Sequence, residues 1–225
     1  MMTEKIFCQA LATDYDGTLA ADGVVSERAI AALERLRASG RKLLLVTGRE
    51  IEDLRSVFQR LDLFDLVVAE NGALLYCPQS GAAKPLAALP SPIFIARLRD
   101  LGVTPLSVGH VIVATRVPHD QDVLAVIREL GLELQIIFNK GAVMVLPPGV
   151  NKATGLTAAL KELSLSAASV VAVGDAENDH AFLAACGYGV AVANALPMLK
   201  DEADWVTAGA RGDGVVELVD RLLGA

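Results

Sequence analysis

A doubly wound α/β core interrupted by a smaller α+β domain is the architecture this sequence predicts, and three observations predict it. Short apolar runs such as Leu43–Val46 and Val170–Val173 recur between stretches of helical period, as strands buried on both faces of a parallel sheet do. These runs end in hydroxyl, glycine or acidic residues, at the sheet edge where open α/β folds bind ligands. From Pro78 to Pro92 the texture breaks, and the stretch from there to Pro147-Pro148-Gly149 reads α-β-β-α-β-β, unlike its flanks. The expected division is a core from residues 1–82 and 151–225, with a second domain at 83–150.

In chain order, Ile6–Ala12 is a buried strand ending at Asp14-Tyr15-Asp16-Gly17-Thr18-Leu19. Ala20–Val25 is a loop, and Ser26 caps a helix to about Ser39, with Ile30, Leu33 and Leu36 apolar and Gly40 as its stop. The strand Leu43–Val46 ends at Thr47-Gly48-Arg49. A helix from Glu50 to about Leu61 and a strand Leu66–Ala69 follow. Asn71-Gly72 signals a hairpin that folds Ala73–Tyr76 back.

In the middle domain, Ile93–Leu101 and Gln121–Leu130 are helical, and Val103–Val108 and Val111–Thr115 are strands. Leu132–Phe138 and Ala142–Leu146 make a hairpin about Asn139-Lys140-Gly141. The last part opens with a helix capped by Asn151 and the strand Val170–Val173, which ends at Gly174-Asp175. A helix Glu177–Ala185, a strand Gly189–Val192, a helix Pro197–Ala203 and a strand Trp205–Thr207 lead to a terminal helix, Val215–Leu223, capped by Asp213.

Composition excludes several classes. The formal charge is −7 and no Lys/Arg cluster marks a nucleic-acid track. Mean hydropathy is +0.45, yet no apolar run approaches the ~20 residues of a membrane-crossing helix. Met1–Lys5 shows no basic stretch leading into a sustained apolar one, so the expected location is the cytoplasm. Cys8, Cys77 and Cys186 are isolated and read as small buried hydrophobes rather than disulfide or zinc ligands. Gly187-Tyr188-Gly189 lacks the third glycine of a dinucleotide fingerprint, and His110, His119 and His180 share no ligand spacing.

The chemistry concentrates at strand ends. Asp14 and Asp16 stand one residue apart where the first strand stops, on one side of an extended backbone, and Gly17 turns the chain away. Asp175 ends the later central strand, with Asp179 four residues on. Converged at one edge, four carboxylates repel one another unless a cation is present, and oxygen-only ligands suit Mg²⁺. Taken singly, each stretch also reads as an acidic turn or an acidic helix start. Lys152 lies at a helix N-terminus, where the dipole disfavours a cation unless an anion faces it. As a lone residue it also reads as a solvated surface lysine.

In this order, Asp14/Asp16, Thr47, Lys152 and Asp175/Asp179 resemble the four motifs of the haloacid dehalogenase superfamily, over nearly the whole chain. Thr47-Gly48-Arg49, Glu70-Asn71-Gly72-Ala73 and Gly174-Asp175 to Asp179 resemble its Cof-like branch, which includes phosphoglycolate and sugar-phosphate phosphatases. The resemblance implies a Rossmann-like core, a small type IIB cap, and a Mg²⁺-dependent phosphatase acting on a small phosphorylated metabolite. In such an enzyme Asp14 is the nucleophile and Asp16 the general acid–base. The metal is held by Asp14, Asp175 and the backbone carbonyl of Asp16, supported by Asp179. Thr47 and Lys152 bind the phosphoryl oxygens, with Asn178 and Asn71 nearby. Ala153 replaces the glycine usual after the lysine, and Tyr15 is bulkier than the usual aliphatic residue. Neither departure removes a catalytic group.

A phosphomutase on the same core and a non-catalytic phosphate-binding protein are the rival readings. No partner is implied beyond the metabolite, and no nucleic acid or membrane; a monomer or small homo-oligomer is expected. For specificity, alternation puts His110, Ile112, Ala114 and Arg116 on one face of the cap sheet, with Glu133 and Gln135 sharing a face on a later strand and Lys140 in the hairpin turn. Turned to the core, that face offers Arg116 or Lys140 to a substrate carboxylate; turned outward, it is solvated.

Overall fold

The structure, a computed structural model, describes residues 6–224; the Met1–Lys5 reading lies outside the described residues. The first part of the core runs β1 (Ala10–Thr13), α1 (Glu27–Ala38), β2 (Lys42–Val46), α2 (Ile51–Val57), β3 (Leu66–Ala69), β4 (Leu74–Cys77) and β5 (Ala82–Pro85). The cap follows with α3 (Pro92–Asp100), β6 (Ser107–Val108), β7 (Val113–Arg116), α4 (Asp120–Glu129), β8 (Gln135–Asn139) and β9 (Ala142–Leu146). The core resumes with α5 (Lys152–Glu162), β10 (Val170–Gly174), α6 (His180–Ala184), β11 (Tyr188–Ala191), α7 (Pro197–Glu202), β12 (Trp205–Val206) and α8 (Gly212–Leu223).

The eight-stranded sheet has the order β12-β11-β10-β1-β2-β3-β4-β5. It is parallel from β12 to β3 and antiparallel where β3 meets β4 and β4 meets β5. Every residue of β1, β3 and β10 is buried, which is why those strands read as unbroken apolar runs. From β1 the chain winds one way to β2 and β3, and later the other way through β10, β11 and β12. Right-handed crossovers on the two sides of this reversal put α1 and α6 on opposite faces. The crevice at such a reversal is where doubly wound folds bind ligands.

The cap sheet is antiparallel in the order β6-β7-β9-β8. One face buries Val113, Val143 and Val145 under α3 and α4. The other packs Ile112, Met144, Leu146, Ala114 and Ile137 with Ala73 of the core. The face carrying Ala114 therefore looks down on the core.

Several expected boundaries move. β1 starts at Ala10 rather than Ile6, since Phe7 is exposed and only from Ala10 does the chain pair with both β2 and β10. β5 pairs with β4 through Pro85, so the core sheet runs past residue 82. The Asn71-Gly72 pair is no two-residue hairpin turn but lies in a 3₁₀ turn, Glu70–Gly72. α2 stops at Val57, and α8 starts at Gly212 with Arg211, not Asp213, in the capping position. His110 precedes β7 and is not one of its residues.

Candidate active site

Asp14 follows β1 directly, and its N–H donates to the Val173 carbonyl of β10 at 3.0 Å, which seats it at the topological reversal. Its carboxylate is buried and accepts from Lys152 Nζ at 2.6 Å. That ammonium, 1% exposed, also donates to Asp179 Oδ1 at 2.6 Å. Lys152 owes its place to the N-terminus of α5, where Asn151 and Thr154 close a capping box. A buried cation at the positive end of a helix is held by the two carboxylates it faces.

Asp179 has both oxygens in use: Oδ2 accepts the Asp175 and Ala176 N–H groups at 2.8 and 2.9 Å. It thus shapes the Asp175 turn and positions Lys152. Asp175 accepts from the Thr18 hydroxyl at 3.1 Å and from Lys140 Nζ at 2.7 Å. Lys140 belongs to the β8–β9 hairpin of the cap, and the same ammonium reaches the Asp16 carbonyl at 3.0 Å. Gly17 makes this approach possible: its φ is +90°, and a Cβ there would lie 2.5 Å from Asp175 Oδ2 and 2.6 Å from Lys140 Nζ.

Asp14, Asp175 and Asp179 each offer an oxygen within 4.8 Å of the others. Burial pushes the Asp14 carboxyl up, to about 7, with Asp179 and Asp175 adding repulsion against the pull of Lys152. Asp175 is raised too, chiefly by burial, with Lys140 opposing. Burial disfavours the charge on Lys152, but Asp14 and Asp179 outweigh it and hold the ammonium protonated. With all three acids ionised, they exceed the two ammonium groups by one negative charge. The set fits a hard divalent cation, because the Asp175 carboxylate and the Asp16 carbonyl already converge on a cationic nitrogen.

The Asp16 carboxylate stands apart from this cluster. Arg49 holds it in a fork, Nε to Oδ2 at 2.6 Å and Nη2 to Oδ1 at 2.8 Å, while Nη1 binds Asp53 at 2.6 Å. Alternation does not put Asp14 and Asp16 together, because β1 ends at Thr13 and the chain is already turning. Thr47 is buried after β2; its hydroxyl accepts the Arg49 N–H at 3.1 Å, which leaves its own proton to donate. Asn178 donates to Asn71 Oδ1 at 2.8 Å, while Asn178 Oδ1 and Asn71 Nδ2 are buried without a partner among the described residues. Such orphaned amide groups suit a ligand's polar atoms.

The sequence alone assigns no role to Arg49, although it follows Thr47-Gly48, and offers Lys140 only to a substrate carboxylate. Gln135 does not face the site: its amide donates to the Pro147 carbonyl at 3.0 Å and ties β8 to the return into the core. Arg116 shares the core-facing side of β7 with Ala114; it is exposed, with no side-chain hydrogen bond among the described residues.

The model of the haloacid dehalogenase-like hydrolases matches residues 11–86 and 110–219. The chain belongs to that family. A phosphoglycolate phosphatase of Methanothermobacter thermautotrophicus is 32% identical over 223 residues, which cover 96% of this chain and 99% of that one. The solved haloacid dehalogenase-like hydrolase of Bacteroides thetaiotaomicron superposes with a TM-score of 0.79 at 20% identity, covering 96% and 99% of the two chains. A solved subclass IIB sugar phosphatase superposes with a TM-score of 0.76 at 22% identity, with the same coverage. The expected Rossmann-like core agrees with these neighbours, and the chain is an enzyme of a hydrolase family. No helix among the described residues is long and apolar enough to cross a membrane.

Proposed function

We propose that this enzyme is a Mg²⁺-dependent phosphatase of a small phosphorylated carboxylic acid, working through a phosphorylated Asp14. The observation that carries the reading is the buried Asp14 carboxylate at the sheet reversal, held 2.6 Å from the Lys152 ammonium with Asp175 beside it. An Asp14 oxygen attacks phosphorus, the bond from phosphorus to the ester oxygen breaks, and Asp16, protonated on an oxygen that has left the Arg49 fork, gives that ester oxygen its proton. Asp16 then takes a proton from a water whose oxygen attacks phosphorus, which frees phosphate and restores Asp14. Lys152 and the Thr47 hydroxyl face the phosphoryl oxygens and offset their charge. Asp14, Asp175 and the Asp16 carbonyl would hold Mg²⁺, which when bound neutralises phosphoryl charge and orients the group.

Lys140 supports the acidic substrate. It brings a cap ammonium to the catalytic edge, and an ammonium there suits a second anionic group on the substrate. The relative from Methanothermobacter, a phosphoglycolate phosphatase, fits this reading.

A panel of phosphorylated metabolites and an aryl phosphate, assayed for free phosphate, tests it. Asp14→Asn is expected to abolish turnover of every ester. Lys140→Ala is expected to lose activity on carboxylated esters while keeping aryl phosphate turnover within a few-fold. Near-normal activity in Asp14→Asn refutes the nucleophile, and a phosphorylated product in place of free phosphate would point to a mutase. An unchanged profile in Lys140→Ala, with a change in Arg116→Ala, moves the carboxylate contact to Arg116.

A further inference from the structure

Glu70 is fully buried at the end of β3 and takes no part in the chemistry above. Its carboxylate crosses to the cap. Oε1 accepts the His110 N–H at 2.8 Å, and Oε2 accepts those of Val111 and Ile112 at 2.7 and 2.8 Å. Three successive backbone amides closing on one anion form a nest, and bonds to a charged acceptor are the strong kind. Glu70 and Asn71 both hold left-handed backbone, at φ 51° and 55°. Non-glycine residues keep that conformation where their surroundings fix it.

The same turn is fastened to the catalytic loops. The Glu70 N–H donates to the Arg49 carbonyl and the Asn71 N–H to the Thr47 carbonyl, both at 2.9 Å. Asn71 also takes the Asn178 amide. On the cap side, the segment bound by Glu70 runs into β7, which pairs with β9. That strand carries Met144, whose Sδ would lie 3.4 Å from a Cβ on Gly48. The contacts around the nest are weaker or more exposed: the Ser107 hydroxyl on Glu50, and the His110 ring 3.4 Å from Glu52.

We infer that Glu70 is a positioning residue, a latch by which the core seats the cap over the phosphoryl site. Without it, three backbone amides, two of them buried, lose their acceptor, and the cap is left to its two connecting segments, the Lys140 bonds to Asp16 and Asp175, the exposed Glu50 and Glu52 contacts and a small apolar contact.

The test compares wild type with the isosteric Glu70→Gln, and with Glu70→Ala as a second variant. Hydrogen exchange of a peptide spanning residues 107–113 and small-angle scattering report the seating without any substrate. The latch predicts roughly tenfold to hundredfold faster exchange in that peptide, as expected for amides that lose a charged partner, and a larger radius of gyration. A substrate held by the cap should also show at least a tenfold rise in KM relative to that of an aryl phosphate, with a smaller change in kcat. Unchanged exchange overturns the proposal. Faster exchange with an unchanged KM ratio also overturns it, because Glu70 is then only a tether. If wild type hydrolyses none of the panel, the phosphatase reading fails, and exchange and scattering alone decide the latch.

Discussion

The Arg49–Asp16 fork links a loop after β2 to the loop after β1 and fixes the proposed acid–base group in one orientation. Arg49 is itself held by Asp53 on α2 and lies over the Tyr15 ring, 5.5 Å from its centroid. This gives the bulky Tyr15 a use, as a wall against the guanidinium. Arg49→Lys keeps the charge but loses the two parallel bonds, because an ammonium cannot reproduce a planar fork. Its kcat should fall roughly tenfold or more, and by less than in Asp16→Ala, where a lost general acid–base costs about 10²–10⁴. A kcat within twofold of wild type would show that the fork does not matter to turnover. The acids were legible in the sequence because strand ends announce themselves: Asp14 and Asp175 each follow a buried apolar run. The partners of Arg49 and Lys140 were not, because they depend on which loops meet, although Lys140 stood out as a candidate for a substrate carboxylate. Lys140 lies 124 residues from Asp16, and no local pattern records that meeting.

The turn Glu70–Gly72 shows how elements, rather than residues, build the site. Gly72 has φ +104°, and a Cβ there would come within 1.9 Å of the Asn151 carbonyl oxygen. The turn after β3 therefore lies against the start of α5, the place that sets Lys152. Gly72→Ala adds a clash to an unfavourable backbone conformation. It should cost at least about 2–3 kcal/mol, the scale of overpacking plus strain. Thermal unfolding checks this, and a wild-type melting temperature would show that the two elements move apart freely. Asn71-Gly72 did signal a reversal of the chain, and β4 does return along β3. The sequence could not show the 3₁₀ turn, because its shape is imposed by α5 and the cap. The apolar pattern overstates β1 for a similar reason: Ile6–Cys8 is apolar, but pairing on both sides begins only at Ala10.

For the whole molecule, the two-sheet plan followed from patterning, while the seating of one sheet on the other and the charge balance between them did not. Residues from both parts of the core and from the cap meet at one cluster, where Asp14, Asp175 and Asp179 exceed Lys152 and Lys140 by one negative charge. Without metal, burial raises the Asp14 carboxyl from 3.8 to about 7, so the folded chain binds this proton more tightly than the unfolded one. Its contribution to stability is therefore full below pH ~4 and is lost as pH rises through about 7. Mg²⁺ needs the carboxylate and displaces that proton, so its stabilisation should grow over the same window. At pH about 8 and a concentration near a hundred times Kd, Mg²⁺ should raise the melting temperature by roughly 5–10 °C, from about 2.7 kcal/mol of linkage. At pH about 5.5 most of that increment should be gone. Asp175→Asn should remove most of it at any pH. An increment that stays constant from pH 5.5 to 8, or survives Asp175→Asn, would mean that the cation binds elsewhere. It would also mean that the buried acids serve only to hold Lys152 and the cap hairpin.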